Sequence, residues 1–542
     1  MATGAAESIP TKEPKAASVA APAQPFTNPY IGILGVFLGA AAASMNSRLI
    51  SIGLPDLRGA KGFGFDEASW IPAALDMALM FSGVFCVFLN GRLGPRRILL
   101  PCAAVFTATS FLIPFSPNLW VMLFLQVLAG LSSGTFYSLT LTFALVALPK
   151  RLVIWGIAAY AGDIVFSTNI SEALQAWYVE HLSWHWIFWN ATVLTPLMFI
   201  CVYFGIPKHS LPPGPAPSWR GWTYFSFGLA LIVGAFDQGE RLDWLNSGVI
   251  VAMLTAGIFL VIAAFIRRKR QPNPITDLAF LKTRNAIILG ISITVFRFLL
   301  LVAYILIPAY LANIKDYRPL QIGQTLAWVA VPVLALVWVV PLIIIGTGSR
   351  LIMAVGFTSI AVTSLIFSRV DSSWAGTSFQ RVELFLAAGL ACSYVGMVGS
   401  IVLEALEAGA LKSAKNVCSF SGLMHLNRIF GGSAGVAVLT HFLSVREKFH
   451  SNMLGLHVQA GNWLTTERLR MFTGGLFPES TGLDQAQARG MVLLGKQVRA
   501  QAYTMAIGDG FVLIAWVVIG FFVAMLLLKP GKISYKDLRN MK

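Results

Sequence analysis

Long apolar stretches follow one another along most of the chain and are separated by short polar segments. Each stretch of about twenty residues is long enough to cross a bilayer as a helix, because an α-helix rises ~1.5 Å per residue. The pattern therefore predicts an all-α polytopic membrane protein. We expect fourteen spans, at about 30–54, 69–90, 97–115, 119–148, 152–177, 185–206, 221–238, 246–266, 286–313, 321–346, 350–368, 379–403, 417–442 and 505–528.

Lysine and arginine are distributed unevenly over the segments between these spans. With the N-terminus placed inside, the inside segments hold 23 of the 40 Lys and Arg residues, and the short outside loops hold 7. The long outside loop 443–504 holds another 7, but long loops escape the rule that cytoplasmic loops are basic. The asymmetry supports an even number of spans, with both termini in the cytoplasm.

Composition excludes the soluble classes of protein. The chain is 56% hydrophobic and 12% charged, whereas soluble proteins are nearer ~25% charged. The net charge of +16 does not indicate nucleic-acid binding, because the basic residues are shared out among short loops. The five cysteines all fall in apolar stretches without metal-type spacing, so we expect buried thiols and no metal or cofactor.

Five segments are predicted along the chain. Residues 1–28 are rich in Ala, Pro, Ser and Lys and are expected to form a disordered cytoplasmic tail. Residues 29–206 form a first six-helix bundle, and residues 285–528, with the long outside loop, form a second. Between them, 207–284 is a Pro/Gly-rich linker with two extra spans, and 529–542 is a basic cytoplasmic tail. Two bundles that line a central cavity are typical of an alternating-access transporter.

Several motifs carry a more specific resemblance. They are "SWHWIFWN" at 183–190, "FDQGERLDWLNS" at 236–247, "NPITDLAFLKTRNAIILG" at 273–290 and "LNRIFGGSAGVAVLT" at 426–440. Together they make the chain similar to the fourteen-span drug:proton antiporters of the major facilitator superfamily, the EmrB/QacA type. The resemblance covers roughly 30–528 and implies the major facilitator fold.

The chain departs from the family pattern at several coupling positions. Span 1 of the family usually carries an aspartate where this chain has Asn46, with Arg48 two residues on. In the loop after span 2, Gly91 replaces an acidic residue. In span 4 Gln126 replaces an arginine, and the Gly-Pro and Gly-Gly pairs of span 5 are absent from 171–176. The loop residues that match the family are Arg92, Gly94, Arg96 and Arg97.

Three ionisable residues are predicted at one level in the outer third of the membrane. Counting ~1.5 Å per residue places Arg48 of span 1, Asp76 of span 2 and Glu172 of span 5 together. An ionisable group costs ~2.5–3.5 kcal/mol at a helix centre, so each is a candidate for function. We expect a carboxylate to neutralise Arg48 and the pair to close the outside of the cavity. Alternatively, Arg48 snorkels to the outer surface or binds an anionic substrate directly.

A second group of ionisable residues is predicted near the midplane. It comprises Arg297 of span 9, Asp163 of span 5 and Arg428 of span 13. Asp163 and Glu172 are nine residues apart, and ~900° of helix rotation puts them on opposite faces. Its depth makes Asp163 the better candidate for a proton carrier, although a fixed ion pair is an equal alternative. His425, one turn from Arg428, is a further candidate.

The two arginines of spans 1 and 9 suggest the substrate class. Arg48 and Arg297 lie in spans that open the two halves, and two cations in a cavity favour an anionic substrate through Coulomb attraction. Aromatic residues near them would suit an apolar body. They are Phe296, Phe298, Tyr304, Trp328 and Trp338.

The leading hypothesis is a secondary transporter that exports amphiphilic small molecules or drugs, including anionic ones, by proton antiport. From the resemblance we expect a cell inner membrane location and, as partners, a periplasmic adaptor and an outer-membrane channel. Because Asn46 cannot titrate, one alternative is a transporter without proton antiport, either a uniporter or an importer. Another is a non-transporting membrane sensor. None of these is an enzyme.

Overall fold

The structure is a computed structural model that describes residues 28–207, 219–270, 283–409, 411, 414–529, 531 and 535–536. These residues form helices and contain no β-strand, so the all-α prediction is confirmed. The α-helices are α1 Pro29–Ile52, α2 Leu54–Lys61, α3 Phe65–Ala68, α4 Trp70–Leu93, α5 Pro95–Leu112, α6 Leu119–Val146, α7 Val153–His181, α8 Trp186–Gly205, α9 Trp219–Gly239, α10 Gly248–Lys269, α11 Arg284–Leu301, α12 Ile307–Asn313, α13 Pro319–Thr347, α14 Ser349–Phe367, α15 Gly376–Glu407, α16 Ala414–Gly455, α17 Trp463–Leu476 and α18 Leu483–Leu527.

Thirteen helical segments in the described part of the chain are long and apolar enough to cross a membrane. One of them, Arg284–Asn313, joins α11 and α12 through a π-helical turn at Val302–Leu306. The predicted span 221–238 corresponds to α9, a helix of 21 residues that is not among the thirteen. Its polar, glycine and aspartate residues lower its hydropathy. The chain is a multi-pass membrane protein, and fourteen as the number of spans stays a prediction.

Helices α1 to α8 pack mainly among themselves, and we call them the N half. In this half α1 contacts α6, α7 and α8, while α5 contacts α6 and α8. A Cβ atom on Gly205 of α8 would lie 2.0 Å from the backbone nitrogen of Gly32 on α1, so only glycines permit this approach. Small residues commonly allow such close packing of membrane helices.

Helices α11 to α18 form a second group, the C half. Here α14 contacts α15 and α18, and α11 contacts α15, α16 and α18. The backbones of α14 and α15 approach at Gly356 and Gly389, where an added Cβ would lie 2.9 and 3.0 Å from the other glycine's carbonyl oxygen.

The two halves meet along two lines of contact. On one side α7 lies against α13, and a Cβ atom on Gly323 of α13 would lie 2.4 Å from the Ala173 Cα of α7. On the other side α4 lies against α16, and the His425 ring covers Gly83. Residues along these two lines can therefore respond directly when the halves move apart.

The extra helix pair, α9 and α10, covers the second of these lines. α9 contacts α4 of the N half and α16 of the C half. α10 is held to α9 at Gly228 and Gly257, where each added Cβ would lie within 2.8 Å of the other glycine's carbonyl oxygen. Only 17% of the apolar window of α10 is buried, so α10 faces lipid over most of its surface.

The predicted outside loop 443–504 is largely helical. α16 and α18 continue well beyond the predicted spans 417–442 and 505–528, and α17 packs against α18. Arg446 of α16 bonds to Asp509 of α18 at 2.6 Å and ties the two extensions together. Hydropathy marks where a helix leaves the apolar layer rather than where it ends, which is why the sequence missed these extensions.

Both predicted tails lie almost wholly outside the described residues, as does part of the linker 207–284. Asn28, at the end of the predicted N-terminal tail, is described. Its side-chain oxygen accepts a hydrogen bond from the Tyr30 N–H at 3.0 Å and caps α1.

Candidate functional site

The ion pair predicted for Arg48 forms with Glu172 of α7. Arg48 Nη2 lies 3.3 Å from Glu172 Oε2, with the two side chains 13% and 9% exposed. The same nitrogen donates to the Tyr304 carbonyl oxygen at 3.1 Å, and the guanidinium lies 3.6 Å above the Tyr304 ring. Because Tyr304 belongs to the C half, this outer cluster of Arg48, Glu172 and Tyr304 joins the two halves.

The Tyr304 carbonyl lies where the helix type changes. Tyr304 belongs to the π-helical turn Val302–Leu306 between α11 and α12, and Pro308, four residues on, has no N–H to donate to its carbonyl. Turns of this kind occur frequently at functional sites. Here the turn presents both a carbonyl oxygen and an aromatic face to Arg48.

A central cluster of Arg428, Tyr137, Asp163, Ser44 and Ser167 also joins the halves. The Arg428 guanidinium lies 3.4 Å above the Tyr137 ring of α6, and Arg428 Nη2 donates to Ser44 Oγ of α1 at 2.7 Å. The Tyr137 hydroxyl donates to Asp163 Oδ2 at 2.9 Å, and Ser167 Oγ donates to Asp163 Oδ1 at 3.1 Å. Asp163 is therefore connected to a cation of the C half through a neutral tyrosine.

Arg297 lies beside the central cluster and is 9% exposed. Its Nε donates to the Arg428 carbonyl oxygen at 3.2 Å, while Nη1 has no hydrogen-bond partner among the described residues. Its electrostatic neighbours include Tyr137, Tyr160 and Tyr394 as well as Arg428. A buried guanidinium nitrogen without an acceptor is a candidate donor for a bound anion.

Asp76 takes no part in the outer cluster, so of the two carboxylates expected near Arg48 it is Glu172 that forms the pair. Asp76 Oδ1 accepts a hydrogen bond from Ser47 Oγ at 3.0 Å, and Asp76 interacts electrostatically with Arg428. Helix rotation explains the difference, because Ser47 and Arg48 point about 100° apart on α1.

Asp237 is a residue that the sequence analysis missed. It lies near the C-terminal end of α9, has an exposed side chain, bonds to Ser433 of α16 and interacts electrostatically with Asp76. The extra helix pair therefore brings the Asp237 carboxylate close to the Asp76 carboxylate of the N half. The available signal was an aspartate within a predicted span, the same signal that selected Asp76 and Asp163.

His425 is placed at the contact between α4 and α16 and is 1% exposed. Its Nε2 lies 3.2 Å from the Leu79 carbonyl oxygen, and its ring covers Gly83. Its Nδ1 has no hydrogen-bond partner among the described residues. The geometry gives His425 a packing role between the halves.

The family loop residues lie in the tight turn between α4 and α5. Gly94 has φ 77°, a conformation that favours glycine, and it ends α4. Arg96 Nη1 donates to the Ile206 carbonyl oxygen at 2.8 Å, which fixes this turn to the end of α8. Arg92 lies over the Phe88 ring, whereas Arg97 makes no hydrogen bond or ion pair with another described residue.

The C half repeats this turn. Gly348, between α13 and α14, has φ 85°, and Arg350 Nη2 donates to the Leu528 carbonyl oxygen at 2.8 Å, just after α18. In both turns the arginine follows the glycine by two residues, and the accepting carbonyl comes just after the last helix of the same half. The same turn therefore occurs once in each half.

At its outer end the extra pair is joined to both halves. Arg241 bonds to Asp66 of the N half at 2.7 Å, and Glu240 bonds to His441 of α16 at 2.8 Å. Partial burial raises the pKa of Glu240, but hydrogen bonds from Trp244 and His441 outweigh it and hold that pKa below its usual range. This end of the extra pair is thus linked by ion pairs to both halves, next to the contact between α4 and α16.

Not all the predicted aromatic residues line the centre. Trp328 and Trp338 of α13 are 43% and 52% exposed, so they are not packed in the buried centre, and a substrate role for them stays a prediction. Hydropathy cannot separate lipid-facing from cavity-facing positions on a helix that is apolar all round. Phe296 is buried against Tyr394, with ring centroids 4.9 Å apart.

Residues 36–435 match the family model of the Major Facilitator Superfamily. The chain is similar to the multidrug export protein EmrB of Haemophilus influenzae, with 22% identity over 491 residues that cover 90% of this chain and 93% of the relative. It is also similar to the colistin resistance protein EmrB of Acinetobacter baumannii, with 23% identity over 88% of this chain and 91% of that protein.

Two solved structures share the fold. The proton:xylose symporter XylE matches with a TM-score of 0.54 and 11% identity, over 94% of this chain and 98% of that one. The human organic anion transporter MFSD10 also matches with a TM-score of 0.54, at 13% identity, over 91% of this chain and 100% of that one. The family model spans well over half of the sequence, and the chain belongs to the Major Facilitator Superfamily.

Proposed function

We propose that this protein exports amphiphilic small molecules, including anionic ones, in exchange for protons. The names of the similar multidrug export proteins support the export of drug-like compounds. The single observation that carries proton coupling is the hydrogen-bond chain of the central cluster. It runs from Asp163 through the Tyr137 hydroxyl, and Tyr137 lies beneath Arg428 of the other half.

Asp163 is the proposed proton carrier. Its two oxygens accept from the hydroxyls of Tyr137 and Ser167, and no Lys, Arg or His lies within ion-pair distance among the described residues. Protonation of Asp163 removes the negative charge nearest Tyr137 and weakens the bond to its hydroxyl. The ring of Tyr137 contacts the Arg428 guanidinium of the C half. Protonation of Asp163 therefore alters a contact between the halves.

The outer cluster is the proposed closure on the outside. Opening outward requires Arg48 to leave the Tyr304 carbonyl of the C half, while its pair with Glu172 stays within the N half. The alternative role, direct binding of a substrate anion by Arg48, predicts a selective loss of affinity for anionic compounds when Arg48 is removed. The two roles are therefore separable by experiment.

The substrate site is proposed to lie beside the central cluster. Arg297 supplies a buried guanidinium with an unpaired Nη1, and Tyr160 and Tyr394 supply aromatic surface next to it. An amphiphile with an acidic group would place its anion at Arg297 and its apolar body against the rings.

The test is export of a labelled ligand panel from proteoliposomes, with and without a pH gradient. We expect uphill export of amphiphilic compounds only with the gradient, and proton release into an unbuffered medium when substrate binds to detergent-solubilised protein. Downhill movement of the compounds at a rate independent of the pH gradient would support a transporter without proton antiport. The absence of any transport would support the sensor.

One observation favours transport without antiport. Asn46, at the position of the family aspartate, is 1% exposed, and its Oδ1 has no hydrogen-bond partner among the described residues. An amide cannot carry a proton, so a family coupling position is lost. Proton release on substrate binding, measured at several pH values, separates this function from antiport.

Orientation and partners belong to the same proposal. We place the protein in the inner membrane with both termini in the cytoplasm, and reporter fusions at position 215 and at the C-terminus should then report inside. Fusions within 450–495 should report outside, where the extensions of α16 and α18 would meet a periplasmic adaptor. The adaptor is tested by its co-purification with this protein and with an outer-membrane channel. A C-terminal fusion that reports outside would overturn the orientation.

A further inference from the structure

The extra helix pair carries a groove that transport by the two halves does not explain. The groove has a volume of about 490 Å³ and lies where α10 ends in a run of basic residues. Tyr224 of α9 forms one wall. The α10 wall consists of Phe259, Ile262, Ala263, Ile266, Arg267 and Arg270.

The α10 wall is a single stripe along the helix. Counted from Phe259, its members lie at positions i, i+3, i+4, i+7, i+8 and i+11, which share one face of a helix. The stripe is apolar from Phe259 to Ile266, a length of roughly 10 Å, and then cationic at Arg267 and Arg270. A diacyl phospholipid has the same profile, with an apolar chain that ends in a charged phosphate.

The surroundings of the groove favour a lipid over a protein segment as its occupant. Phe259 and Ile262 are 70% and 52% exposed, and α10 contacts little except α9. Trp219 and Trp222 begin α9 at the level of the basic run, as aromatic residues do at a membrane interface. Positive charge at that level attracts anionic headgroups, at about 1 kcal/mol per Lys or Arg near the surface.

We propose that this groove binds one anionic phospholipid of the leaflet that meets the basic end of α10. The lipid phosphate lies between Arg267 and Arg270, with the Tyr224 hydroxyl as a further donor. One acyl chain lies along Phe259, Ile262 and Ile266. Arginine suits this role because its planar guanidinium can donate two parallel hydrogen bonds to a phosphate.

The test uses the full-length protein in nanodiscs of phosphatidylethanolamine with a small fraction of phosphatidylglycerol. The retained phosphatidylglycerol is counted by native mass spectrometry after release into detergent. The variant Arg267→Gln/Arg270→Gln removes the cations of the groove. Its matched control, Arg268→Gln/Lys269→Gln, removes two charges from the same turn but outside the groove wall.

A third variant, Ile262→Trp, fills the groove and leaves the charge unchanged. We expect the groove double variant and Ile262→Trp each to lower the retained phosphatidylglycerol at least about tenfold, with the control within about twofold of wild type. Equal loss in the groove variant and the control would reduce the effect to diffuse surface charge and overturn the site. Retention by Ile262→Trp would overturn it equally, because a filled groove cannot hold a chain.

Discussion

The outer and central clusters both stack an arginine of one half on a tyrosine of the other half, but the half that supplies the arginine differs. In the outer cluster an arginine of the N half lies 3.6 Å above Tyr304 of the C half, and in the central cluster Arg428 of the C half lies 3.4 Å above Tyr137 of the N half. The carboxylates differ. Glu172 lies 3.3 Å from its arginine, whereas the partners of Asp163 among the described residues are the hydroxyls of Tyr137 and Ser167.

This difference separates a fixed charge from an exchangeable one. A cation directly beside a carboxylate favours the charged form of that carboxylate through Coulomb attraction, so Glu172 is suited to a structural lock. A carboxylate held by hydroxyls can gain a proton without breaking a direct ion pair, so Asp163 is suited to carry one. The predictions below test that distinction, from the largest expected effect to the smallest.

The largest effect is expected from Asp163→Asn. The amide keeps the size of the side chain but cannot carry a proton, so gradient-driven export should fall to background while substrate binding stays measurable. Ser167→Ala is the control, because it removes one hydrogen bond and keeps the carboxylate. Uphill export by Asp163→Asn at the wild-type rate, measured in proteoliposomes, would exclude Asp163 as the essential carrier.

Arg48→Ala should impair transport strongly, although less than the loss of Asp163. Removing one partner of a fully buried pair costs ~3–5 kcal/mol, and the cost should be lower here because water reaches the outer end. A second change, Glu172→Gln, should restore part of the activity, since it removes the uncompensated charge.

Asp76→Asn is the matched control for that rescue, because Asp76 bonds to Ser47 and not to Arg48. A double-mutant cycle over transport rates measures both couplings. Coupling of Arg48 to neither carboxylate, with a selective loss of anionic substrates, would instead make Arg48 a substrate ligand.

Tyr137→Phe should lower gradient-driven export about tenfold, the effect of leaving one buried acceptor unsatisfied. The ring beneath Arg428 remains, and only the link to Asp163 is lost. Tyr304→Phe is the control in the outer cluster, because Tyr304 contributes its carbonyl and ring face to Arg48. Equal effects of the two changes would contradict the assigned roles.

Asp237→Asn should have the smallest effect, a loss of about threefold in export at a fixed gradient, because the interactions of an exposed charge are weak. The readout is the export rate as a function of outside pH, since Asp237 lies beside Asp76. Asp243→Asn, in the turn after α9, is the control. A loss as complete as that of Asp163→Asn would move the proton site to the extra pair.

Much of the architecture followed from the sequence alone. Apolar length predicted the helices, and the charge distribution predicted an even count of spans. Counting along a helix placed Arg48 with Glu172 at one depth, and helix rotation placed Asp163 on the opposite face from Glu172. In the structure these two carboxylates do bond to different helices, Glu172 to α1 and Asp163 to α6.

Sequence by itself determined the helices and their order along the chain, because these depend only on local hydropathy and a rise of ~1.5 Å per residue. The fourteen-span count and the depth of each charged residue in the membrane stay predictions. The tertiary structure decided the partners. It paired Arg48 with Glu172 instead of Asp76, set Arg428 on Tyr137 and brought Asp237 to the α4–α16 contact. A partner depends on which helices are neighbours and how each is rotated. Both follow from packing between segments far apart in the chain, which no local pattern records.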